Sequence, residues 1–173
     1  MNDAPSIAVL VLGVVAAVTD AATRRIPNAL TFAAAAVALA FGAAVDGWHG
    51  LAWATAGWAV GVLLFLPLFA LRAMGGGDVK LLAAFGAWLG PALVCWVAVY
   101  GAIAGGLLAL LLVLWRGRLG TTIANMWDIV THVRLAGMKP HPVTTLDNPG
   151  AMRMPYALPI AFGALATLWL RVW

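Results

Sequence analysis

Apolar residues come in long blocks broken by short polar or glycine-rich interruptions, and the lengths of the blocks predict the elements. Residues 4–19 form the first block, closed by Asp20 and the pair Arg24-Arg25. It is long enough for a spanning helix that continues through Asp20 toward the arginines. Pro27 then suits the first turn of the next helix, where its missing N–H costs nothing. A second helix is expected over about 29–45, a polar turn at Asp46-Gly47-Trp48-His49-Gly50, and a third helix over about 51–71 in which Pro67 favours a kink. Beyond the break Met74-Gly75-Gly76-Gly77-Asp78-Val79-Lys80, the run 79–115 holds 37 residues. That is too long for one crossing of a core about 30 Å thick at about 1.5 Å per residue. Gly90-Pro91 divides it into a short fourth helix ending near Leu89 and a long fifth ending before Arg116 and Arg118. The stretch of about 117–150 has little apolar periodicity and reads as a loop. Within it, 123–135 forms an amphipathic segment whose Trp127, Val130 and Leu135 could face lipid. The last block, 154–172, contains Pro155 and Pro159 and predicts a sixth helix with an irregular start.

Composition turns this pattern into a class. Hydrophobic residues make up 64% and charged residues 9%, with mean hydropathy +0.99, against about 45–50% and about 25% in soluble domains. The expectation is an all-α, polytopic membrane protein forming a single domain over 1–173. The first block lacks a basic segment ahead of it, so it reads as a retained helix and not a signal peptide. A net charge of +4 could indicate nucleic acid, but the basic residues are scattered between apolar runs, as topology determinants are, and no nucleic-acid partner is expected. Trp48, Trp53, Trp115 and Trp173 sit near block ends and suit interfacial anchoring in membrane lipid. A single Cys95 excludes an intrachain disulfide and any CxxC site.

Charge also orients the layout. With six spans and both termini outside, nine of the ten basic residues fall on the cytoplasmic side, leaving only Arg171 outside. Merging the fourth and fifth helices would carry Arg116 through Arg153 outward and destroy that bias. The same layout puts Asp20 and Asp78 on one membrane face. All six acidic residues are aspartates, and an ionisable group drawn below the surface beside a short helix is a functional candidate.

Two carboxylates meeting there would share a proton. One could then serve as general base toward water while the other protonates the leaving group. The separation of 58 positions does not by itself establish contact. Taken alone, Asp78 reads equally as a helix N-cap, Asp20 as an i,i+4 partner of Arg24, and the three glycines as a tight connection. Lys80 reads first as an interface residue. Asp128, His132 and His141 carry metal-ligand atom types without tight motif spacing, and no metal or cofactor is expected. GxxxxGK[ST], GxSxG and HExxH motifs are absent. A small ion-coupled carrier could use the same acids, and a membrane scaffold could keep the same fold.

Three stretches carry a family resemblance. Asp20-Ala21-Ala22-Thr23-Arg24-Arg25-Ile26-Pro27-Asn28 resembles the first catalytic aspartate of the prepilin peptidases, followed by its basic stretch and IPN. Gly75-Gly76-Gly77-Asp78-Val79-Lys80-Leu81 resembles their GxGDxK motif, and Pro155-Tyr156-Ala157-Leu158-Pro159 resembles the proline-bracketed opening of their last helix. The chain thus looks like a GxGD membrane aspartic peptidase, of the short CpaA/TadV-like branch that serves Flp-type pili.

The resemblance implies a six-helix GxGD fold in the bacterial inner membrane with Asp20 and Asp78 as the catalytic pair facing the cytoplasm. It implies cleavage of the short basic leader of a prepilin or pseudopilin precursor through activated water, with Gly75, Gly76, Gly77 and Lys80 shaping the site or binding substrate. Dual-function members also methylate the new N-terminus by way of a cysteine-pair region. This chain starts at the first peptidase helix with one cysteine, so peptidase activity alone is expected. A homo-oligomer is compatible with the sequence.

Overall fold

The computed structural model describes residues 3–137 and 155–170. They form five helices: α1 (Ala4–Thr23), α2 (Asn28–Ala70), α3 (Gly76–Trp115), α4 (Leu119–Ala136) and α5 (Ala157–Leu170). By length and composition α1, α2 and α3 are apolar enough to cross a membrane, and α5 is a shorter apolar helix.

The two longest helices are each broken near the middle. At 43 residues, α2 would extend about 65 Å if straight, roughly twice a bilayer core. Its dihedrals leave the helical region at Asp46 and at Gly47, where φ is +59°. An added Cβ on Gly42 would lie 2.7 Å from the Gly50 carbonyl oxygen. Eight residues of straight helix would hold those positions about 12 Å apart, so the chain doubles back here. The break is narrower than the polar turn expected at 46–50, because residues 48–50 already belong to the next helical segment. In α3 the break falls at Gly90, with φ +81° and ψ 175°, where the Gly-Pro pair predicted it. A Cβ on Gly86 would touch Val94 at 3.2 Å, which again marks a reversal. The segments are α2a (28–45), α2b (48–70), α3a (76–89) and α3b (91–115). Pro67 lies inside α2b, whose dihedrals stay helical there.

Pairs in contact give each segment its direction. Gly57 meets Gly86, and Gly61 meets Ala83, so α2b runs antiparallel to α3a. Lys80 reaches Asn28, and Trp88 packs on Phe41 with ring centroids 5.6 Å apart, so α2a runs parallel to it. Gly13 faces both Ala161 of α5 and Phe85 of α3a, while Gly163 of α5 abuts Val97 and Gly101 of α3b. Small residues make these approaches possible. Gly50, Ala54, Gly57 and Gly61 form one buried stripe on α2, and where lipid replaces water as solvent, helix association depends on such close backbone packing.

A segment of only 14 residues, α3a, sits at the centre. In α3a, Asp78, Val79, Leu81, Leu82, Ala83 through Ala87 and Leu89 are buried, with Phe85, Leu81 and Leu82 fully enclosed. A helix that is apolar on every face belongs inside a bundle, and α1, both halves of α2 and α3b surround this one. By contrast α4 is largely exposed, with Ile123, Met126, Trp127, Val130 and Leu135 all open. It starts at 119 and extends the amphipathic segment expected over 123–135. His141, Lys139 and Asp147 of the expected loop lie outside the described residues, as do Arg153, Arg171 and Trp173.

Candidate active site

Asp20 occupies the last turn of α1. The helix stops directly behind it because Arg24 adopts the left-handed conformation, φ +55°, and returns its N–H to the Asp20 carbonyl at 2.8 Å. A left-handed residue is a common way to close a helix and is uncommon for arginine. The chain then passes through Ile26 and Pro27, an extended N-cap, into α2a. Pro27 therefore stands one position before the helix that it was expected to begin.

Asp78 is prepared from the opposite direction. At the end of α2b, Arg72 also turns left-handed, and the Ala73 N–H bonds back to the Leu68 carbonyl at 2.9 Å, the six-to-one closure that satisfies a helix C-terminus. Gly75 is the N-cap of α3 and Asp78 is its third residue. A carboxylate at that position can reach back to the free donors of the first turn. Here it bonds with the Gly75 backbone, and a Cβ on Gly75 would come within 3.1 Å of Asp78 Oδ2. Gly77 lies against Ile26, whose Cβ would be 3.2 Å from an added Cβ. Any larger residue at 77 would push the 24–28 connection away from the start of α3.

These two turns enclose one cavity of about 490 Å³, lined by Asp20, Arg24, Arg25, Ile26, Pro27, Asn28, Gly75, Gly76, Gly77 and Asp78. Every lining residue comes from one of two short stretches that are far apart in sequence. Both carboxylates are buried, Asp20 at 7% and Asp78 at 8% exposure, and they lie close enough for the charge of one to act on the other. Two acids with restricted access to water that share one cavity can divide base and acid roles between them.

Lys80 does not line this cavity. Its ammonium donates to Asn28 Oδ1 at 2.9 Å and sits 5.3 Å from the centre of the Phe32 ring. It thus ties the first residue of α2a to the central helix. Two further described acids lie elsewhere: Asp46 borders a separate cavity of about 350 Å³ at the opposite end of the bundle with His49, Trp53 and Trp88, and Asp128 is exposed on α4. Of the two cavities described, the one at 20–28 and 75–78 contains two acids.

Two contributors were not singled out from the sequence. The Ala157 N–H donates to Asp20 Oδ2 at 3.1 Å. The side chain of Tyr156 packs toward Gly105 and interacts electrostatically with Asp78. Their only prior signal was the proline-bracketed segment itself, because a backbone donor leaves no mark in a residue type.

Comparison with known proteins bears on the same region. No curated protein and no solved structure matches the chain significantly. The family model for the type IV leader peptidase family matches residues 7–110, which include both cavity-forming stretches and more than half of the chain. This chain belongs to the type IV leader peptidase family.

Proposed function

We propose that the protein is an aspartic endopeptidase that removes the leader from a type IV or Flp-type prepilin, with Asp20 and Asp78 as its catalytic pair. The observation that carries this reading is the single cavity holding both buried acids, with its lining drawn wholly from 20–28 and 75–78. One carboxylate takes a proton from water as the water oxygen bonds to the scissile carbonyl carbon. The other, protonated, gives its proton to the carbonyl oxygen. Collapse of the tetrahedral species breaks the C–N bond, and the amide nitrogen leaves with a proton from the pair, yielding a free acid and a free amine. Gly75, Gly76 and Gly77 line the cavity beside the acids, where an extended substrate backbone would lie.

Helical segments α1, α2a, α2b, α3a, α3b and α5 give six crossings in this reading. Their 24–27 and 71–75 connections and α4 lie on the cytoplasmic side of the inner membrane, consistent with the distribution of Arg24, Arg25, Arg72, Arg116, Arg118 and Arg134. Methyl transfer is not assigned, since the lone Cys95 cannot provide a cysteine pair.

The test replaces Asp20 and Asp78 separately by Asn in purified protein and follows cleavage of a pilin precursor that has a basic leader ahead of its hydrophobic helix. Each change should lower kcat at least about 10²- to 10⁴-fold, the usual worth of a general acid or base. Retention of cleavage by both variants would exclude the dyad. A carrier or scaffold predicts an inactive wild type under conditions where related peptidases cleave.

A further inference from the structure

Asp20 Oδ2 accepts its hydrogen bond from a residue 137 positions further along the chain, the fully buried Ala157. This residue is the first of α5, and the preceding Tyr156 carbonyl accepts the Ile160 N–H at 3.2 Å. The Ala157 N–H is therefore one of the donors that a helix start leaves without an intrahelical acceptor. It meets a carboxylate at the positive end of the helix dipole, where an anion is favoured. The donor is also held in register. Gly163 sits directly on the Val97 carbonyl and the Gly101 backbone, the Pro159 carbonyl oxygen would lie 3.4 Å from a Cβ added to Gly101, and on the other side the Ala161 Cβ would lie 3.3 Å from a Cβ added to Gly13. Sliding or rotating α5 would drive backbone into backbone.

We propose that the Ala157 N–H is a positioning group of the peptidase site, holding Oδ2 of Asp20 so that Oδ1 is left to engage the water. This rests on the reading of Asp20 and Asp78 as the catalytic pair. The start of α5 is then a third part of the site, alongside the stretches 20–28 and 75–78. A carboxylate held by one oxygen cannot rotate freely about its Cβ–Cγ bond, so fewer orientations must be given up when the reaction begins. The N–H touches neither water nor substrate, and its effect passes through Asp20.

The experiment replaces the Tyr156–Ala157 amide by an ester in the full chain, through suppression of a stop codon at 157 with the α-hydroxy analogue of alanine. This deletes the donor and leaves the side chains unchanged. Ala157→Gly, which keeps the N–H, is the conservative control. The ester protein should lose about 10- to 100-fold in kcat on the same pilin precursor, the range of a hydrogen bond to a charged group. Its KM should stay at the wild-type value, and its loss in kcat should exceed any loss in Ala157→Gly by at least about 10-fold. An unchanged kcat in the ester protein overturns the proposal. So does a loss that fails to exceed that of Ala157→Gly by this margin, or one accompanied by a raised KM, because the bond is then structural. Asp20→Asn is assayed in parallel: an active Asp20→Asn variant removes the dyad reading and this inference with it, whereas an inactive one beside a fully active ester protein removes only the positioning role.

Discussion

Adding one methyl group at Gly61 tests whether the position of Asp78 depends on how closely α2b approaches the central helix. In Gly61→Ala the new Cβ would lie 2.7 Å from both Ala83 Cα and Leu82 O, and 2.9 Å from Ala83 N. Non-bonded carbons settle at about 3.5–4.0 Å, so the two helices must part by about 1 Å. The obstacle is backbone, which cannot rotate aside as a side chain would. Overpacking of this kind costs about 1–3 kcal/mol, and the melting midpoint should fall. Asp78 lies five residues before Ala83, about 7.5 Å along the same enclosed helix, so the displacement reaches the cavity. A misplacement of about 1 Å at a reacting group can cost about 10²-fold in rate. The assay measures kcat for precursor cleavage and the thermal midpoint in the same detergent. Gly106→Ala serves as the control, since nothing lies within 4 Å of its added Cβ, and it should be neutral or stabilising by up to about 1 kcal/mol. Wild-type kcat and midpoint in Gly61→Ala would refute the argument. A lowered midpoint with intact kcat would show that α3a shifts without carrying Asp78.

Further outcomes follow from other contacts. Lys80→Met and Asn28→Ala should each destabilise by about 1 kcal/mol, and the double variant by less than their sum, because both remove one hydrogen bond; additive losses in thermal melts would show that the pair does not couple. In a Cys95→Ala background, His49→Cys should react with an impermeant maleimide in intact cells and Arg118→Cys only after lysis. The reverse pattern would invert the proposed orientation. Cleavage should persist in excess chelator, since protons and water suffice for paired carboxylates; abolition by chelator and recovery on adding a divalent ion would contradict that chemistry.

Much of the scaffold was legible because membrane helices announce themselves by block length. The split at Gly90 needed no structure, since a run of 37 apolar residues exceeds one crossing and the Gly-Pro pair offers the point of failure. The boundaries were less exact where reversal took fewer residues than expected, as at Asp46 and Gly47, where one glycine with positive φ does the work assigned to five positions. Lys80 was legible as a structural residue, but its partner Asn28 was not, since nothing local connects positions 52 apart.

The sequence by itself determined the class, the apolar blocks and their breaks, and the two motifs that contain Asp20 and Asp78, because each depends on composition or on neighbours within a few residues. Only the tertiary structure decided that those motifs face one another across a single cavity, that α3a rather than a longer helix occupies the centre, and that the start of α5 supplies a donor to Asp20. Those outcomes depend on which helices pack together, and that depends on matching small-residue surfaces such as Gly57 with Gly86 and Gly163 with Gly101. A glycine in the chain shows that close approach is permitted, but the partner it approaches exists only once the bundle has formed.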